Sequence, residues 1–216
     1  GGKYGCIAMF SGCTALTVAP ELPSTALSDG CYKDMFAYCT SLTTAPDLPA
    51  THAIYEGDKI PGTLRPTYYE TDCYDGMFYG CSSLATAPEL PATTLADYCY
   101  EFMFAGCSSL TTAPSILPAT TLAERCYYYM FYRCTSLTTA PELPATQIPS
   151  YAYECTFWNC TSLVSSPVLP ATHIAPHAYQ GLFNGCTMLN QIVCFADNIN
   201  SSTAYAWVDH ITTSGT

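Results

Sequence analysis

Fourteen cysteines form the largest group of reactive side chains in this sequence of 216 residues. Their even number favours a disulfide framework. Most of them recur in two columns, and each member of the second column lies eight residues before a member of the first. The first column contains Cys13, Cys39, Cys81, Cys107, Cys134, Cys160 and Cys186, and the second contains Cys31, Cys73, Cys99 and Cys126.

The columns themselves argue against a full set of disulfides. Ala152 and Ala178 occupy the second column in two copies, so a small apolar side chain is sufficient there, as expected for a buried structural thiol. The first column has seven members and cannot pair off completely. We therefore predict mostly buried thiols, and a zinc site is disfavoured because no C-x2-C pair occurs. The pairs expected as exceptions are Cys155 with Cys160 and Cys186 with Cys194.

No known constellation of catalytic residues occurs in the sequence. It lacks the nucleophile elbow G-x-S-x-G, the phosphate loop G-x-x-x-x-G-K and the zinc motif H-E-x-x-H. His173 and His177 could share a metal on a helix, but Pro176 between them disfavours that helix. We interpret both histidines as surface residues on a turn. The sequence therefore predicts a protein that is not an enzyme and has no cofactor and no metal site.

Acidic residues also recur in columns. One column follows the Ala-Pro step of the repeat, and the other lies just before the second cysteine column. Stacked carboxylates could bind calcium, but a solvated face that keeps an apolar protein soluble is the favoured interpretation. The first column contains Glu21, Asp47, Glu89 and Glu142, and the second contains Asp29, Asp72, Asp97 and Glu124.

The net charge restricts the classes of partner. Seventeen acidic and six basic residues give a formal charge of -11, which disfavours binding to nucleic acid or to an anionic membrane. No run of apolar residues is long enough to span a bilayer, so no direct membrane insertion is expected. The opening Gly1-Gly2-Lys3 has no signal-peptide character, and we expect a piece of a longer protein whose signal and anchor lie outside it.

A repeat of about 26 residues positions these side chains. The word aromatic-x-x-Cys-x-x-Leu occurs seven times, from MFSGCTAL at Met9 to LFNGCTML at Leu182. Its cysteines are separated by 26, 42, 26, 27, 26 and 26 residues, so one gap contains 16 extra residues. The Phe and the Leu of the word are identical in all seven copies, which predicts the interior columns of a stacked solenoid.

Each copy is expected to contain two extended pieces and a helical return. The phrase L-T-T-A-P-E-L-P, as at Leu137 to Pro144, predicts a strand that ends in a proline turn. The phrase A-T-T-L-A-D-Y-C-Y, at Ala92 to Tyr100, predicts a second short strand. The pattern Y-x-x-M-F-x-x-C spaces its apolar residues three and four apart, which predicts one or two helical turns. The predicted fold is thus a β-rich α/β solenoid of seven rungs with short strands and short helical turns.

The repeated word, followed by a short strand and a proline, resembles the BspA-like leucine-rich repeats of bacterial cell surfaces, although Met-Phe stands where Ala-Phe is usual. The resemblance implies a leucine-rich-repeat solenoid over residues 1–193, with an insertion at about 52–67 and a truncated C-terminal cap over 194–216. It also implies an extracellular or cell-surface protein of host-associated bacteria that serves adhesion or recognition and has no catalytic site.

Four positions vary most between copies, two before Met-Phe and two after Phe. Because packing does not need them, they are the expected binding positions. Five of the candidates, at positions 128, 129, 132, 133 and 158, come from adjacent copies and would form one aromatic patch. The alternative is that these rings are ordinary exposed side chains scattered over the surface. The candidates are Tyr38, Tyr79, Phe102, Tyr128, Tyr129, Tyr132, Arg133 and Trp158.

The insertion provides three more candidates, Tyr55, Lys59 and Arg65. Long loops on a rigid scaffold often bind ligands, and a tolerated surface insertion is the alternative. Together these features predict a non-enzymatic recognition or adhesion module that binds a host protein or glycan through aromatic positions. The other hypothesis is a passive spacer or stalk of a larger surface protein. The identity of the ligand and the oligomeric state stay open.

Overall fold

Regular β-structure is sparse in the computed structural model, which describes residues 6–25, 27, 30–50, 52–53 and 72–211. Strand β1 pairs in parallel with β2, and β3 pairs in parallel with β4. Single parallel bridges, such as Val18 with Thr44 and Ile148 with Ile174, link further copies. The strands are β1 His52–Ala53, β2 Thr94–Leu95, β3 Ser165–Leu169 and β4 Gln191–Cys194.

The segment around each Met-Phe pair is a ladder of turns, which we call the turn ladder (residues 30–39 in the second copy and 125–134 in the fifth). In the fifth copy, the N–H of Met130 donates to the carbonyl of Tyr127 at 3.2 Å, and the N–H of Cys134 donates to that of Phe131 at 3.0 Å. The N–H of Phe131 instead donates to the backbone carbonyl of Thr156, in the next copy, at 2.9 Å. The backbone is thus hydrogen-bonded alternately within a copy and between copies, so its polar groups can be buried.

The predicted helical turns are therefore wrong, because the described residues contain no helix. Each turn ends at a residue in the left-handed region, for example Phe102 (φ 50°), Tyr129 (φ 53°) and Arg133 (φ 59°). Such residues interrupt the run of right-handed residues that an α-helix requires. A turn every four residues brings the Tyr, Met-Phe and Cys positions to one side much as a helix would, so the spacing did not distinguish the two.

Both predicted strands are shorter than expected. Within Leu137 to Pro144 only single bridges form, at Thr139 and Glu142. Only Thr94–Leu95 of the phrase from Ala92 to Tyr100 is a strand, and residues 97–100 already belong to a turn. Each copy thus consists of short extended pieces and turns, and copies are joined mainly through the turn ladder.

The constant residues form continuous interior columns, as predicted. Successive Phe rings stack with centroids 5.5 to 5.7 Å apart and planes within 11°. A parallel column of tyrosines stacks from Tyr32 to Tyr179 and ends on Trp207. These rings exclude water from the centre and supply much of the apolar burial. The Phe column contains Phe10, Phe36, Phe78, Phe104, Phe131, Phe157 and Phe183, fully buried from Phe36 onward.

The copies on either side of the insertion stack directly on each other. The N–H of Tyr32 donates to the carbonyl of Cys73 at 3.0 Å, and the N–H of Phe36 donates to that of Met77 at 2.9 Å. The extra residues therefore leave the turn ladder unbroken. Residues 54–71 lie outside the described part of the chain, and with them the candidates Tyr55, Lys59 and Arg65.

The turn ladder also continues into the segment expected to be a cap. Tyr179 donates its N–H to Thr203 at 3.0 Å, and Phe183 donates to Trp207 at 2.7 Å. Residues 202–211 thus stack on the seventh copy as a further rung. In the described part of the chain, no helix is long and apolar enough to cross a bilayer.

Candidate binding surface

All eight candidate residues outside the insertion are brought to one side of the stack. Tyr129 is the centre, with its ring 5.2 Å from Phe102, 5.2 Å from Tyr132 and 5.7 Å from Trp158 between centroids. Tyr128 packs edge-on against Tyr129 at 4.5 Å. The rings predicted to form one patch therefore contact one another directly.

The row of rings extends beyond that patch toward the second copy. Tyr79 lies 6.2 Å from Phe102 and 5.2 Å from Tyr38, edge-on in both cases. Arg133 lies over the ring of Tyr132 at 5.0 Å. We call this row the aromatic surface, and it runs without a gap over five copies. Its rings are Tyr38, Tyr79, Phe102, Tyr128, Tyr129, Tyr132 and Trp158.

Neighbouring rings hold the aromatic surface in place. Tyr38 at its end is 55% exposed, whereas Tyr79, Phe102, Tyr129 and Trp158 are only partly exposed because each packs against the next. A partner that binds here would therefore immobilise few side chains, which lowers the entropic cost of association.

A second stack of planar groups lies beside the aromatic surface and was missed by the sequence analysis. The guanidinium of Arg125 lies 5.7 Å from the ring of Tyr98, 4.9 Å from Tyr151 and 5.4 Å from Tyr128. The ring of His177 stacks on Tyr151 at 4.7 Å with an interplanar angle of 3°. The available signal was a planar side chain six residues before Phe in four successive copies.

Carboxylates collect at the Tyr38 end of the aromatic surface. Lys33 bonds to Asp72 at 2.6 Å and to Asp75 at 2.9 Å. Burial raises the pKa of Asp75 to about 6 despite Lys33, and the nearby Asp72 and Asp34 add to the rise. Burial likewise raises the pKa of Glu101 to about 8, with a further contribution from Asp75 and Asp72. The acidic groups here thus exceed the positive charge that accompanies them.

An open depression of about 380 Å³ lies where this acidic cluster meets the aromatic surface. Its lining combines two carboxylates with three rings. Gly76 forms part of the wall with φ of +59°, and a Cβ there would collide with the carboxylate of Asp34 in the neighbouring copy. The missing side chain therefore leaves room for that carboxylate. The lining residues are Asp34, Tyr38, Asp75, Gly76, Tyr79 and Phe102.

The cysteines are in the thiol form. All fourteen lie in the described part of the chain and no disulfide joins any of them, so the two bridges considered possible, Cys155 with Cys160 and Cys186 with Cys194, are absent. Ten of the thiols are buried. Burial raises the pKa of Cys81 to about 12 and that of Cys160 well above its ordinary value, which suppresses the reactive thiolate.

The two histidines four residues apart have different surroundings. His173 is exposed and lies 3.3 Å from Asp197. His177 is partly buried, with its Nδ1 2.7 Å from Oε1 of Gln180. Among the described residues no three His, Cys, Asp or Glu side chains converge as a metal site would require. The acidic residues Glu21, Asp47, Glu89 and Glu142 are all exposed to solvent.

Comparison with known proteins gives only distant likenesses. No protein-family model matches the sequence, and no curated protein matches it either. A leucine-rich repeat protein of T. pallidum is 18% identical, with 64% of this chain and 70% of that chain covered and a TM-score of 0.34. A leucine-rich cell surface protein from Faecalibacterium prausnitzii is 18% identical, with 96% and 66% covered and a TM-score of 0.27.

A third solved structure, a leucine-rich repeat protein from Bacteroides ovatus, is 17% identical, with 95% of this chain and 85% of that chain covered and a TM-score of 0.20. These TM-scores are too low to support a conclusion about fold or function. The description of this chain as a stacked repeat protein therefore rests on its own hydrogen bonds and ring columns.

Proposed function

We propose that this chain is a recognition module of the leucine-rich-repeat kind, displayed outside a bacterial cell, that binds a host protein or glycan through the aromatic surface. One observation carries the proposal: the variable positions of five successive copies place their rings in mutual contact, from Tyr38 to Trp158. Residues that are not aromatic occupy the same repeat positions in other copies, for example Ala105 and Gly181, so the repeat does not require aromatic residues there.

The chemistry of the aromatic surface suits a macromolecular or glycan partner. Tyrosine and tryptophan combine a large apolar area with a polar group, and both are enriched at the centres of binding interfaces. Arg133 at the exposed edge adds a planar donor that can bind carboxylates or stack on rings. The thiol beside these rings, Cys155, is buried, and burial raises its pKa to about 12.

The test is a binding screen with two variants of the aromatic surface and one control variant. The wild-type chain is applied to an array of host proteins and glycans, and each hit is repeated with Trp158→Ala, Tyr132→Ala and Phe195→Ala. The first two positions have ordinary backbone angles, so alanine adds no backbone strain. Phe195 is the control, because its ring is 59% exposed and lies outside the aromatic surface.

We expect the two variants of the aromatic surface to bind at least about tenfold more weakly than wild type, while Phe195→Ala keeps the wild-type affinity. The proposal would be contradicted if all three variants bound each hit as tightly as the wild-type chain does. That outcome would favour the passive spacer, for which the exposed rings are unimportant.

A further inference from the structure

The depression between the acidic cluster and the aromatic surface has an uncompensated negative charge. Lys33 bonds to Asp72 and Asp75, and Asp34 lies close enough to both aspartates to interact with them electrostatically. One lysine therefore faces three carboxylates. Burial, followed by the nearby Asp72, raises the pKa of Asp34, and the pKa of Asp75 is raised as well. A further positive charge placed here would stabilise both ionised groups.

The other walls of the depression are aromatic. Tyr38 and Tyr79 meet edge-on at 5.2 Å, and Tyr79 meets Phe102 at 6.2 Å. Ring faces attract a cation that has lost part of its water, and carboxylates pair with it directly. A pocket lined by three rings and two carboxylates thus combines the two kinds of group that bind an organic cation.

We propose that this depression receives a lysine or arginine side chain of a partner protein, with Asp34 and Asp75 as counter-ions and Tyr38, Tyr79 and Phe102 as walls. The inference rests on the proposed function, because it identifies the kind of partner side chain that binds at the acidic end of the aromatic surface. The long apolar stem of a basic side chain packs along rings while its charged end reaches a carboxylate.

Two other occupants fit the lining less well. Calcium takes six to eight oxygen ligands, whereas the carboxylates in the wall come from only two residues beside three rings. A neutral sugar would cover the carboxylates without supplying a counter-charge, which costs free energy. The overall charge of -11 also favours the approach of a cationic partner.

The experiment uses the full chain and two small peptides. Acetyl-Gly-Gly-Lys-Gly-Gly-amide is titrated up to about 10 mM into ¹⁵N-labelled protein, and the same peptide with norleucine in place of lysine is the uncharged control. Spectra are recorded for wild type and for Asp34→Asn, Asp75→Asn and Asp47→Asn. Asparagine tolerates the left-handed backbone of position 34, and Asp47 is an exposed carboxylate outside the depression.

We expect the lysine peptide to shift the amide signals of Gly76 and Tyr79, and the norleucine peptide to leave them unchanged. Asp34→Asn and Asp75→Asn should each weaken binding about fivefold, whereas Asp47→Asn should not. The affinity for the lysine peptide should rise as Asp75 loses its proton above about pH 6. The charged groups that surround Asp75 are Lys33, Asp34, Asp72 and Glu101.

The proposal is overturned if the lysine peptide does not bind, if the norleucine peptide binds equally well, or if both asparagine variants bind like wild type. A failure here is distinct from a failure of the recognition function. Suppose that a partner found on the array no longer binds Trp158→Ala but still binds Asp34→Asn and Asp75→Asn. That result would support the recognition function and reject only the proposal that the depression receives a basic side chain.

Discussion

The thiol of Cys134 donates a hydrogen bond to the backbone carbonyl of Phe104, 3.2 Å away in the preceding copy. The same carbonyl accepts the N–H of Cys107 within its own copy at 3.0 Å. A cysteine at this position thus fills a small buried volume and satisfies the second lone pair of a buried carbonyl. The bond recurs between copies at 3.0 to 3.2 Å, from Cys39, Cys81, Cys107, Cys134, Cys160 and Cys186.

Replacing Cys134 by alanine should destabilise the fold. The variant loses both the sulfur volume and the hydrogen bond to Phe104 in a fully buried site, and we expect a loss of about 2 kcal/mol of unfolding free energy. Urea denaturation in reducing buffer measures the effect. Cys13→Ala is the matched control, because Cys13 has the same repeat position but is exposed. Equal midpoints for the two variants would show that the buried hydrogen bond is unimportant.

Thiol reactivity should divide the cysteines into two groups. In the native protein a maleimide should modify the exposed Cys13 first and the half-buried Cys6, Cys31 and Cys194 more slowly. The ten buried thiols should react only after unfolding, because burial hides them and also raises the pKa of thiols such as Cys81, Cys126 and Cys186. Mass spectrometry without reductant counts the labels. Fewer than fourteen labels on the unfolded chain would reveal disulfides and contradict the thiol assignment.

Adding a methyl group to Gly181 should destabilise the turn ladder. Its φ is +59°, and a Cβ there would lie 2.8 Å from Sγ of Cys155. Gly181→Ala therefore suffers both backbone strain and a steric clash, together about 3 kcal/mol. Gly12→Ala isolates the strain, since Gly12 has φ of +74° and nothing within 4 Å of the added carbon, and it should cost only about 1 kcal/mol. Thermal denaturation compares them, and equal losses would exclude the clash.

The repeat in the sequence was sufficient to predict the interior columns and the aromatic surface. Constant Phe and Leu positions had to be buried, and large rings at variable positions, such as Tyr129 and Trp158, had to stay partly exposed, whereas small residues at the same positions, such as Ala105, are buried. The path of the backbone was not predictable in the same way, because three- and four-residue spacings fit both helices and successive turns. The stack around Arg125 was missed because tyrosine, arginine and histidine share a planar shape but not a residue class.

Ionisation of Glu101 should make the fold less stable at alkaline pH. Burial and the nearby Asp75 raise its pKa from 4.5 to about 8, so between these values the folded state binds more protons than the unfolded state and stability falls as pH rises. Glu101→Gln removes this titration. The variant should match wild type near pH 4 and exceed its unfolding free energy by about 2 kcal/mol at pH 9, allowing for solvent screening. Denaturation curves across this pH range, with the exposed Glu142→Gln as control, measure the difference. Parallel curves for wild type and Glu101→Gln would show that the carboxyl ionises without penalty, since only a raised pKa makes the two curves separate above pH 5.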